Sequence, residues 1–273
     1  YDHYSNLLEA KDINGNYVST KKDNYHDNKV SATSNSNYCS SFYWNFEDQV
    51  PTGVLDTSAE IGWGLVQSLA IGSTVIPHTG SYMASITPSQ TWGPTYRAQN
   101  LPASRAEGNI ITGKTYQASV WVHESSDPST TLWIYIGGNI NCASVPCSSS
   151  VSISSNTPKV NNWYLLTTTL QIPSNYASTG GAQQNDVRVY VQNPGTNNLP
   201  AYIDDMMFHP VDADLTGYVY DPPTNLLLYK LDGNGYFTQY LYDNNHRLTT
   251  INKETQGGVM KVSSYNYYFK NQQ

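Results

Sequence analysis

KTYQASVWVHE, residues 114–124, decides how this chain folds. Alternate residues divide into two sets, with Tyr116, Ala118, Val120 and Val122 on one side and Gln117, Ser119, Trp121 and His123 on the other. A strand sends successive side chains to opposite faces, so the first set can enter a core while the second stands clear of it. TLWIYIG, at 131–137, repeats the division, with Leu132, Ile134 and Ile136 alternating with Trp133 and Tyr135. DVRVYVQ, at 186–192, repeats it again, with Val187, Val189 and Val191 alternating with Arg188, Tyr190 and Gln192. The three strands together predict one sheet with an aliphatic buried face and a second face built to hold something.

Composition agrees with an all-β chain. Only 13% of the 273 residues are charged, and tyrosine occurs 23 times beside many Ser, Thr and Asn. That mixture suits strands and polar turns better than helices, whose surfaces need Glu, Lys and Arg. A net charge of −7 argues against nucleic acid as a partner, because phosphate contacts need clustered cations. No apolar run reaches the roughly 20 residues of a membrane-spanning helix. The opening YDHYSNLL carries no signal-peptide pattern and reads as mid-structure, so any leader is expected to have been removed. Cys142 and Cys147 are close enough to close a short loop, with Cys39 left over; a disulfide and two free thiols are both open. No cysteine–histidine spacing suggests zinc.

The ends of the chain resemble each other. YDHYSNLLEAKDINGNYVSTKKD, at 1–23, reads as two strands around a turn at Asn14 and Gly15. Laid with Tyr1 on Tyr220, it matches YDPPTNLLLYKLDGNGYFTQYLYD at seven positions, among them Asn6/Asn225, Leu7/Leu226, Leu8/Leu227, Lys11/Lys230 and Tyr17/Tyr236. A third start, YDNNHRLTTINKE, follows at Tyr242. Such self-similarity marks a repeat, and the pattern resembles the YD-repeat (Rhs-type) family. The resemblance implies β-hairpins that wind into a large extracellular sheet.

Between 42 and 210 this repeat stops. Strands are predicted at 42–47, 81–87, 113–124, 131–137, 163–172, 186–192 and 201–208, separated by Gly, Pro, Asn and Ser clusters. Many short strands without a helix predict a β-sandwich. The expected division is a repeat segment at 1–41, a sandwich at 42–210 and a repeat segment at 211–273. Long loops at 137–150 and 174–186 are places where binding groups gather.

In order, Phe46-Glu47, HTGSY at 78–82, GKTYQASVWV at 113–122, NNWYLLTTTLQIP at 161–173 and YIDD at 202–205 are similar to the galactose-binding-like jelly roll of carbohydrate-binding modules. The resemblance covers the middle of the chain. Together with the flanks it is similar to large secreted bacterial surface proteins, which implies an extracellular or cell-surface location.

Gln117, Trp121, His123, Trp133, Tyr135, Arg188, Tyr190 and Gln192 are the candidate ligand-binding residues. Sugar C–H groups stack on aromatic planes, and hydroxyls need amide, imidazole or guanidinium partners. The alternative is that Trp121 and Trp133 form a second small core under a loop, with Arg188 and Gln192 simply solvated. Trp63 and Trp92 are candidates for the rim or for packing. Glu47, Asp204, Asp205 and the backbone around Gly80 are the positions to which the resemblance carries a structural calcium ion, with Asp48 belonging to either reading. Catalysis finds little support: no GxSxG, HExxH or glycine-rich phosphate loop occurs, and Glu124 and Asp186 are the carboxylates near the face. The expected function is non-catalytic binding of a polysaccharide or surface glycan. The competing expectation is a structural spacer or docking domain of an adhesin or toxin shell. Further repeats or another polypeptide would then cover the open strand edges.

Overall fold

The computed structural model describes residues 7–22, 28–47, 67–70, 75–88, 93–99, 110–137, 146–174, 176 and 186–267. Trp63, Trp92, Asp48 and Cys142 lie outside them. The described strands form three sheets in which every neighbouring pair is antiparallel.

Two sheets make a sandwich. The first has the order β10-β9-β13-β7, formed by Ser148–Ser152, Thr131–Gly137, Asp186–Gln192 and Thr95–Gln99. The second has the order β11-β12-β8-β14-β6-β5. Its strands are Lys159–Val160, Trp163–Gln171, Thr115–His123, Ala201–Pro210, Tyr82–Ile86 and Gln67–Ala70, and β4 (Phe42–Trp44) also pairs with β14. Tyr116, Ala118, Val120 and Val122 of β8 meet Leu132, Ile134 and Ile136 of β9 and Val187, Val189 and Val191 of β13 in one apolar core. All ten are at most 2% exposed, so alternation assigned the inward side of each strand as expected. The expectation of one sheet is corrected. β8 belongs to the six-strand row and β9 and β13 to the four-stranded sheet, because both layers line the same core and so carry the same alternation.

The third sheet joins the two ends of the chain. Its order is β1-β2-β3-β15-β16-β17-β18-β19, with strands at Glu9–Lys11, Tyr17–Lys22, Lys29–Ser34, Asp214–Tyr220, Leu227–Leu231, Phe237–Tyr242, Leu248–Thr255 and Gly258–Ser264. β3 pairs with β15, so the sandwich strands β4–β14 are set into a continuous row of hairpins.

Aspartate punctuates that row. At Asp12, Asp232 and Asp243 a five-residue turn recurs: the Asp N–H donates to the carbonyl four residues on, and its carboxylate accepts the N–H groups two and four residues on. The fourth position has positive φ in each copy, at Gly15 (+89°), Gly235 (+86°) and His246 (+60°). A different turn at Asp221 keeps the same spacing of eleven residues. The turns therefore align Asp12 with Asp232, one residue away from the alignment of Tyr1 with Tyr220. Tyr17 opens β2 whereas Tyr236 closes a turn, so their match does not reflect equivalent places.

This third sheet packs on the outer side of the sheet containing β8 and β14. Tyr43 and Met207 meet Leu215, Val219, Leu231 and Phe237 in a separate apolar cluster. Gly217 is required there, since a Cβ would lie 2.7 Å from the Tyr43 ring. Cys147 is disulfide-bonded, and Cys39 is buried and outside any disulfide.

Candidate functional site

The register of the four-stranded sheet builds an aromatic patch on its outer side. Trp133 lies opposite Tyr190, and Tyr135 opposite Arg188. The Trp133 and Tyr190 rings are parallel to within 8°, with centroids 6.2 Å apart, an offset pairing that aromatic quadrupoles favour. Tyr135 is 37% exposed, Trp133 is half-buried and Tyr190 is buried. Burial, followed by the neighbouring Tyr135, raises the Tyr190 phenol above its ordinary range. Gln192 continues the side, opposite Thr131. On the other flank, Ser150 lies opposite Trp133 and Ser148 opposite Tyr135, so small residues of β10 border the larger rings. The Trp133 indole N–H is buried and has no acceptor among the described residues.

Gln117, Trp121 and His123 do not join this patch, which corrects the expectation of a single eight-residue face. They lie on β8, in the other sheet. Trp121 is 0% exposed, and its Nε1–H donates to the Gly235 carbonyl at 2.9 Å, in the β16–β17 turn of the third sheet. Its ring stacks on His78, with centroids 4.2 Å apart, and meets Tyr236 edge-on. His123 is buried against Trp163 with Nδ1 2.8 Å from Ser125 Oγ, and burial lowers its pKa. Gln117 is half-buried. Trp121 thus serves as a second core, the alternative the sequence left open, but another sheet covers it.

The acidic residues assemble around an imidazole. A bulge in β14, with Asp205 at φ +49°, turns two successive aspartates into the interior. Asp204 Oδ2 accepts the backbone N–H of His78 (2.9 Å) and Thr79 (3.2 Å), and Oδ1 that of Asp205 (2.8 Å). Asp205 Oδ1 accepts the hydroxyls of Tyr43 (2.6 Å) and Thr79 (3.0 Å). Its Oδ2 lies 2.7 Å from His78 Nδ1. His78 Nε2 lies 3.1 Å from Glu254 Oε1, on β18 of the third sheet. Burial alone would lower the His78 pKa, but hydrogen bonds and charge from Asp205 and Glu254 outweigh it and raise it to about 9. Glu47 Oε1 accepts the N–H groups of Ser81 (2.7 Å) and Tyr82 (2.8 Å), and its carboxylate occupies the space beside the Gly80 α-carbon.

This donor set does not fit calcium. A hard cation needs oxygen lone pairs that converge on one point, whereas N–H and O–H donors take the aspartate oxygens here. Among the described residues no three His, Cys, Asp or Glu side chains form a metal-holding group. His78 was missed in the sequence, although it stands two residues before Gly80 in the quoted HTGSY motif. Glu124 is exposed and paired with Lys159 at 2.6 Å, so it is not poised against a second carboxylate.

No protein-family model and no curated protein matches the sequence. Among solved structures, a xylan-binding domain of carbohydrate-binding family 22 from Paenibacillus barcinonensis is similar at 16% identity and TM-score 0.36, covering 62% of this chain and 99% of that one. A family 22 carbohydrate-binding module from Clostridium thermocellum gives 17%, 0.35, 63% and 94%. A cyclase from Fischerella gives 9%, 0.32, 65% and 88%. Identity and TM-score are low throughout, so the sandwich stands on its own strand pairing and what those proteins bind remains a property of theirs.

Proposed function

We propose that the outer side of the four-stranded sheet is a non-catalytic platform for a polysaccharide or surface glycan, carried by an extracellular protein between YD-type hairpin repeats. The supporting observation is the Trp133–Tyr190 ring pair with Tyr135 exposed beside it, on a side turned away from the sandwich core. Sugar C–H groups would stack on these rings, while Arg188, Gln192 and the β10 hydroxyls would engage the sugar hydroxyls. Such a shallow site suits a single-site Kd of about 1 mM to 10 μM, strengthened by avidity if several copies are tethered. Affinity electrophoresis of the full chain through gels of different polysaccharides tests this. Sugar-dependent retardation that Tyr135→Ala and Trp133→Ala weaken supports the reading, and unaltered mobility in every gel opposes it.

The covered face of β8 favours a second reading, in which the sandwich is a spacer or docking element of a surface assembly. The chain already uses one aromatic face to hold another of its own sheets. On that reading both variants migrate as the parent does.

A further inference from the structure

We infer that the His78 imidazolium is the built-in cation of this fold: it stands at the place where the resemblance to carbohydrate-binding modules puts calcium, and it ties the sandwich to the hairpin sheet. Both ring nitrogens face carboxylate oxygens, Nδ1 toward Asp205 at 2.7 Å and Nε2 toward Glu254 at 3.1 and 3.2 Å. Each nitrogen donates only if it carries a proton, so with Asp205 and Glu254 both ionised the ring that satisfies them is the cation. The partners come from separate layers, since Asp205 is on β14 of the sandwich and Glu254 on β18 of the hairpin sheet. The cluster is sealed: Asp205 and Glu254 are 1% exposed and His78 is 8%. Trp121 stacks on one face of the ring, and Trp163 and Phe237 meet it edge-on, again from both layers.

A calcium ion at such a place would bind the terminal strands of the sandwich to one another. Here Tyr43 of β4 already bonds Asp205 of β14, and His78 extends that link from Asp205 into a sheet that a sandwich alone does not possess. Opposite charges buried together hold firmly while both remain, and removal of one leaves the other uncompensated. The sandwich and hairpin sheet should therefore melt together and without regard to divalent metal.

Thermal melting of the full chain, followed by tryptophan fluorescence and by backbone dichroism, tests the inference. A single transition with both probes coincident is expected, with its midpoint unchanged by chelator or by added calcium. Glu254→Gln keeps the shape and removes one charge, so it should lower the midpoint by several degrees and separate the two probes. His78→Gln should lower it further, and the two changes together should cost clearly less than their sum, because they break the same bridge. A chelator-induced fall, a calcium-induced rise, or additive losses in the double variant would overturn the inference. If His78→Gln fails to fold, the parent's metal response and the Glu254→Gln melt still decide it.

Discussion

On the outer side of β8, Trp121 is 0% exposed and hydrogen-bonded to a turn of another sheet, whereas on the outer side of β9 Tyr135 is 37% exposed and flanked by a ring pair. Both strands have the same alternation of aliphatic and aromatic or polar residues. The difference comes from what lies beyond them: the six-strand row has the hairpin sheet packed on it through Tyr43, Met207, Leu215 and Phe237. Identical patterning thus yields a structural aromatic face and a candidate binding face in one sandwich. An outward aromatic side serves the protein's own packing wherever a further layer docks on it.

The largest expected difference between the faces is in stability. Trp121→Ala should cost about 3–5 kcal/mol, the usual loss for a truncated buried aromatic, and the orphaned Gly235 carbonyl adds to it. Tyr135→Ala should cost about 0.5 kcal/mol, as surface changes do. Urea unfolding of both variants checks this, and comparable losses would mean that the two faces are equally buried.

The next effect concerns the crossing that sends β8 and β9 into different sheets. Asp127 lies in that connection, accepting bonds from Ser129 N (2.9 Å), Ser129 Oγ (2.6 Å) and Asn197 N (2.9 Å). Burial would raise its pKa, yet the bonds from Ser129 and Asn197 prevail and hold it at about 2, below the ordinary 3.8. A depressed folded pKa stabilises above the unfolded value, so this contribution is present above about pH 4 and is lost as pH falls through about 2. Asp127→Asn should cost roughly 1–3 kcal/mol at neutral pH and flatten that acid limb. An unchanged acid titration of stability would contradict the assignment.

A smaller contrast compares one turn in two settings. Gly15 and Gly235 share a left-handed backbone, for which a side chain costs about 1–2 kcal/mol. A Cβ at Gly15 meets only the end of Lys11 at 3.9 Å, whereas at Gly235 it meets Trp121 Nε1 at 3.4 Å and Leu165 at 3.5 Å. Gly235→Ala should therefore lower the melting temperature more than Gly15→Ala, and equal shifts would show that the turn does not press on Trp121. The smallest effect expected is on binding: Arg188→Gln should weaken glycan retention a few-fold.

The inward half of β8, β9 and β13 was legible because burial imposes a strict period on both layers. Which sheet each strand joined was not, since parity distinguishes inside from outside and says nothing of partners. β10 was hidden for another reason: SSSVS has one β-branched residue, Val151, and no aromatic among four serines, so it read as part of a serine-rich loop. The Asn14–Gly15 turn was readable from local chemistry, but the alignment of the flanks slipped by one residue where matching letters outweighed matching turns. At the acidic cluster the carboxylates were found and their partner was not. Paired aspartates suggest a metal, and only the fold brings His78, distant in sequence, between Asp205 and Glu254.

The most direct test of the two-face account is side-by-side retardation of the full-length parent, Tyr135→Ala, Trp133→Ala and Trp121→Phe in polysaccharide gels, with each fold verified by melting. The expected result is a sugar that slows the parent and Trp121→Phe alike and slows the Tyr135 and Trp133 variants at least about tenfold less, a difference of roughly 1.4 kcal/mol. Retardation that survives loss of both rings, or that Trp121→Phe alone abolishes, would contradict it.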